Sequence, residues 1–151
     1  PDIGTHHAID VVDMFQSLGV PCKLTSSDIT TPSQLMHAVR FNVRLKAPLS
    51  GHALMQAWHS NPYVAMTAKF DSNVIFEQGR RYGFNGRLYA HAIVVETNVM
   101  VHHDTVKGWA FVPQEGNSIL STLHAFMLQV DLKNADQVMQ KLQEDLLQKE
   151  W

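Results

Sequence analysis

The chain has a single cysteine, Cys22, among its 151 residues. An internal disulfide is excluded, and a lone thiol suits a reducing cytoplasm. Long apolar runs are missing too: none reaches the ~20 residues of a membrane span, and no charged-then-apolar leader opens the chain. Net charge is small, −2 with histidine neutral, which removes any general attraction to nucleic acid or to an anionic membrane. There is no His-Glu-x-x-His, no cysteine pair and no histidine pair at i and i+4, so no metal is expected. Internal repeats, low-complexity tracts and linkers are also absent.

What is present is an ordinary globular composition, 45% hydrophobic and 17% charged. That suffices for one domain with its own core, spanning residues 1–151. Nine histidines are many for this length. The first residue is Pro1 rather than methionine, which points to a processed chain or an excised domain.

The most informative stretch is 26–51, SSDITTPSQLMHAVRFNVRLKAPLSG. Val39, Phe41, Val43 and Leu45 alternate with Arg40, Asn42 and Arg44. Such alternation predicts a strand over 39–45 with one buried face. A polar loop would then deliver His37 to the threshold of that strand, a usual place for a functional group. Arg40, Asn42 and Arg44 share the other face.

Around this stretch the expected elements fall in order. A helix carries Ile9, Val12, Phe15 and Leu18 and is closed by Gly19. A weak strand covers 20–24, and Cys22 reads as a buried thiol. A helix over 51–59 ends at Asn61-Pro62, and a strand over 63–68 follows. Ser72 caps a helix that carries Arg80 and Arg81 in its last turn and ends at Gly83. Asn85-Gly86 makes a turn. Segments 88–96, 99–104 and 107–112 form an antiparallel meander, with His102-His103 structural in a strand pair. Helices then start near Ile119 and cover 135–149. Trp58, Trp109 and Trp151 read as core or interface anchors. The expected fold class is α+β: an antiparallel or mixed β-sheet with helices on one face.

The ordered set of short motifs resembles the C-terminal catalytic domain of the archaeal-type (type II) glyceraldehyde-3-phosphate dehydrogenases. The anchors are His6-His7-x-x-Asp10, then Pro32-x-x-Leu35-Met36-His37 running into a strand. Asn61-Pro62, Arg81-Tyr82-Gly83, Asn85 to Tyr89 and Val112-Pro113 before a long helix complete the set. The resemblance implies a domain like that one in fold. It also implies NAD- or NADP-dependent oxidation of glyceraldehyde 3-phosphate, with capture by inorganic phosphate.

By motif position, His37 would be the general base, since a neutral imidazole can take up a proton and return it. Thr5, His6 and His7 would contact phosphate, and Asn117 would lie near the nicotinamide. The family's sheet face packs against another subunit, so a cytoplasmic homo-oligomer, a homotetramer, is implied, with no nucleic acid and no membrane. The family's nucleophile lies in a Ser-Cys-Asn-Thr-Thr stretch, and its dinucleotide domain opens with a Gly-x-Gly turn. Neither occurs in these 151 residues, and Cys22, followed by Lys23-Leu24, does not match the nucleophile. The expectation is thus part of a catalytic domain, inactive alone. Two rivals are a stand-alone non-catalytic interaction domain of this fold and a related aldehyde dehydrogenase with another acidic substrate.

Overall fold

A computed structural model gives the fold and describes residues 5–32, 36–83, 91–113, 116 and 118–146. The chain divides into two compact units, Pro1–Ser33 and Gln34–Trp151.

In the first unit, helix α1 (His6–Ser17) buries Ala8 and ends at Leu18, with Gly19 at φ +68° just beyond. A left-handed residue after a helix is the ordinary use of glycine there. Thr5 is the N-cap, yet its side chain caps nothing. Instead its hydroxyl lies 2.6 Å from the Ser26 hydroxyl, and its N–H donates to the Ser26 carbonyl at 3.2 Å. Residues 20–24 form no strand, a correction to the sequence expectation. Among the described residues no neighbouring strand pairs with them, and five residues alone cannot support a ladder. Cys22 is half-buried rather than buried.

The second unit is a mixed α+β structure around a five-stranded sheet of order β1-β5-β3-β2, with β4 also paired to β5. Its strands are β1 (Met36–Arg44), β2 (Val64–Thr67), β3 (Ala92–Val95), β4 (Met100–His102) and β5 (Thr105–Pro113). β2 runs parallel to β3, and the other pairings are antiparallel. The expected meander is replaced by a different path. β3 and β4 lie one after the other along a single edge of β5, separated by a 3-10 turn at Glu96–Asn98. The turn does not reverse the chain: β3 and β4 run in the same direction, end to end along β5, so they cannot pair with each other.

The helices are α2 (Gly51–Ser60), α3 (Ser72–Arg81), α4 (Ile119–Val130) and α5 (Ala135–Leu146). They do not share one face of the sheet, which corrects the expected arrangement. Ile75 and Phe76 of α3 pack with Met36, Ala65, Ile93, Val95 and Phe111. Met55 and Trp58 of α2 pack with Phe41, Met66, Val94 and Ala110. Ala65/Met66 and Ile93/Val94 are sequence neighbours, so their side chains leave opposite faces. The central strands are thus covered on both sides, which explains the apolar run Ala92-Ile93-Val94-Val95 without alternation. α4 and α5 pack on each other through Leu120 and Met139, with Tyr63 and Leu142 beside them.

Local sequence explains the helix ends. Ser50 caps α2 by accepting from the Ala53 N–H at 3.1 Å. For α3 the cap is Asp71, not Ser72: its Oδ1 accepts from the Asn73 and Val74 N–H groups at 2.7 and 3.4 Å. Gly83 sits past the end of α3 at φ +87°. The expected Asn85-Gly86 turn, residues 88–90 of the expected meander, residues 147–149 of the last helix and Trp151 lie outside the described residues. No helix among the described residues is long and apolar enough to cross a membrane.

Candidate functional site

His37 lies inside β1, not in a loop before it. Among the described residues β1 runs from Met36, which pairs with Pro113 of β5. His37 is exposed, and no polar partner of its ring exists among the described residues. Its cross-strand neighbour is Val112, and Met36 faces Pro113. Met36-His37 and Val112-Pro113, far apart in sequence, thus become adjacent rungs of one ladder. Met36 is buried against α3 while His37 leaves the opposite face. The core therefore fixes the backbone of His37 and leaves its imidazole accessible.

His6 and His7 occupy the first turn of α1, both exposed. On the helix their ring centroids are 3.9 Å apart, at an interplanar angle of 42°. A helix turns about 100° per residue, so adjacent side chains splay less than in a strand. The first-turn N–H groups and the helix dipole make such a position favourable for an anion. Thr5 lies one residue earlier, with its hydroxyl engaged by Ser26. These three residues belong to the first unit and His37 to the second. Asn117 lies outside the described residues.

Among the described residues no group of three or more His, Cys, Asp or Glu could hold a metal. His102 ends β4, and His103 occupies the turn to β5 at φ 52°. Both are exposed, with ring centroids 4.4 Å apart. The expected strand alternation fails there because the turn redirects the chain. His91, not singled out in the sequence, is the buried histidine, 1% exposed at the head of β3. Its place between Ala90 and the apolar Ala92-Ile93 run was the available signal.

The sheet face opposite α2 carries a second cluster that sequence alone only half showed. Register sets Arg40 opposite Trp109, Asn42 opposite Lys107, and Lys107 opposite Met100. Trp109 is 43% exposed and Phe70 65%. Together with Ala38, Val95, Asn98 and Phe111 they line a shallow depression of about 290 Å³. The shared face of Arg40, Asn42 and Arg44 was legible in the sequence. Their aromatic neighbour Trp109 lies across a ladder that only folding creates. Trp58, by contrast, is half-buried, edge-on to Phe41 with centroids 6.0 Å apart.

No protein-family model matches the chain, and no curated protein matches it in sequence.

Proposed function

We propose that the chain is a catalytic-type domain of a phosphorylating aldehyde dehydrogenase resembling the type II glyceraldehyde-3-phosphate dehydrogenases. The observation that carries this reading is the β1–β5 register, His37 beside Val112 and Met36 beside Pro113. Two motifs of the ordered set thereby meet at one end of one ladder, ahead of α4. In this reading His37 is the general base and takes the proton released from oxygen at the reacting carbon. A base on a strand whose neighbour is packed in the core keeps its geometry without an external support. Thr5, His6 and His7 hold phosphate, supported by their place at the start of α1. The resemblance assigns the NAD or NADP mainly to a dinucleotide domain, and none of the described residues forms its strand–Gly-x-Gly–helix turn. The same reading makes the protein a cytoplasmic homo-oligomer joined through the sheet face of Arg40, Asn42 and Arg44.

A second reading, a non-catalytic interaction domain, is favoured by that same face, where Trp109, Phe70 and Met100 are all exposed.

One experiment separates them: reduction of nicotinamide by the natural gene product, supplied with glyceraldehyde 3-phosphate and inorganic phosphate. The enzyme reading expects turnover, a fall of about 10²–10⁴-fold in kcat for His37→Ala, and a raised KM for phosphate in His6→Ala/His7→Ala. Absence of turnover in the wild type, or full activity in His37→Ala, would overturn it.

A further inference from the structure

Strand β1 stands at the end of the sheet order, and among the described residues no strand pairs with its outer edge. Over its nine residues only Met36 is buried and Phe41 half-buried, and the others are exposed. Such an edge presents unpaired backbone N–H and C=O groups, and natural sheets seldom leave one long and flat without a device against pairing.

Which groups point outward follows from one hydrogen bond. Leu45 N–H donates to the Asp104 carbonyl at 2.7 Å, in line with the β1–β5 register. Backbone direction alternates along an antiparallel strand. Val43, Phe41, Val39 and His37 therefore also point their N–H and C=O toward β5. Ala38, Arg40, Asn42 and Arg44 point theirs to the open edge. On that edge the side chains divide cleanly: Arg40 and Arg44 lie on one face, and Val39, Phe41 and Val43 on the other. Val39 and Val43 are 40% and 45% exposed.

This pattern selects among occupants. A second copy pairing antiparallel through the same edge, with the outward groups of both strands bonded, sets Arg40 directly opposite Arg40 of the copy in the full-length register and opposite Arg44 in the shortest. The registers between them leave Arg40 diagonal to an arginine of the copy, still within reach of so long a side chain. Like charges directly opposite across a ladder are destabilising. Arg40 forms no ion pair among the described residues. Arg44 leans toward Asp104, Nε to Oδ2 3.8 Å, with both side chains well exposed, so a competing acid can still reach it. A strand with carboxylates four residues apart and apolar residues between them satisfies both faces at once.

We propose that the open edge of β1 takes up an extended acidic–apolar segment of a partner polypeptide as a further strand. Main-chain bonds to Ala38, Arg40, Asn42 and Arg44 supply the docking. Carboxylates opposite Arg40 and Arg44, and apolar side chains beside Val39 and Val43, supply the selection. The inference uses none of the residues assigned to proton transfer or phosphate binding, but it gives Arg40 and Arg44 to a partner strand in place of the homo-oligomeric contact of the dehydrogenase reading.

The test is a fluorescence-anisotropy titration of the whole chain with a labelled peptide, Glu-Val-Thr-Val-Glu-Val, and its counterpart with both acids replaced by lysine. Binding of the acidic peptide alone is expected. Asn42→Pro removes one outward N–H and leaves the β5 side of the ladder untouched. It should weaken binding by about tenfold while circular dichroism and melting temperature stay near wild type. The double variant Arg40→Glu/Arg44→Glu should bind the lysine peptide instead and keeps the test informative if Asn42→Pro fails to fold. Three results would overturn the proposal: no binding of the acidic peptide, equal binding of both peptides, or unchanged affinity in both variants. A concentration-dependent dimer that Asn42→Pro dissolves would assign the edge to a second copy and overturn it as well.

Discussion

β3 and β1 belong to one sheet and live in different environments. β3 has strands on both sides and helices over both faces, and its Ile93, Val94 and Val95 are buried. β1 is more than twice as long, alternates cleanly, and has one buried residue. Alternation says which side chains share a face. Burial is decided by what lies next to the strand, and an outer strand lacks half of those neighbours. The most regular strand pattern in the sequence therefore marks a strand with little protection.

The difference can be broken by truncating the same kind of side chain in each strand. Ile93→Ala empties a fully buried position against Ile75 and Phe111 and should cost about 2–5 kcal/mol. Val39→Ala, on the exposed edge, should stay within about 0.5 kcal/mol. Urea unfolding of the two variants checks this, and comparable losses would mean that the edge is packed after all.

A sharper probe sits where the edge is still tied to the core. At Gly108 an added Cβ would lie 2.6 Å from Phe41 Cζ, and the Phe41 ring is itself set edge-on against Trp58. Gly108→Ala should destabilise by about 1–3 kcal/mol through overpacking. Pairing it with Phe41→Leu, which vacates the space, should recover part of the loss in a thermal melt.

The smallest expected effect lies away from both strands. Asp71→Ala removes the α3 cap and should cost about 1 kcal/mol, whereas Ser72→Ala should be near neutral. Equal losses would return the cap to Ser72.

Much of the second unit was legible in advance because its signals are local. Gly51, Asn61-Pro62 and Gly83 punctuate α2 and α3 within one or two residues of where they begin and end. The misses have non-local causes. Residues 20–24 have strand-like side chains and no partner strand among the described residues. The meander fails because the 3-10 turn at Glu96–Asn98 sends β4 along β5 rather than back along β3. The site divides in the same way. His37 was singled out by its position before an alternating run, and its place within the ladder opposite Val112 depends on the pairing with β5. His6 and His7 were placed in a chain opening, and the helix that begins at His6 sets their rings side by side.

By itself the sequence determined the local terms: the helices with their stop signals, the two faces of β1, the absence of a disulfide and of a long apolar span. Propensity, capping and side-chain periodicity act over a few residues and are written directly in the chain. Only the tertiary structure decided the strand order, the parallel pairing of β2 with β3, the split of α2 and α3 across the sheet, and the open edge of β1. Those are contacts between residues distant in sequence, where several pairings suit one alternating pattern and the packing of the whole unit selects among them.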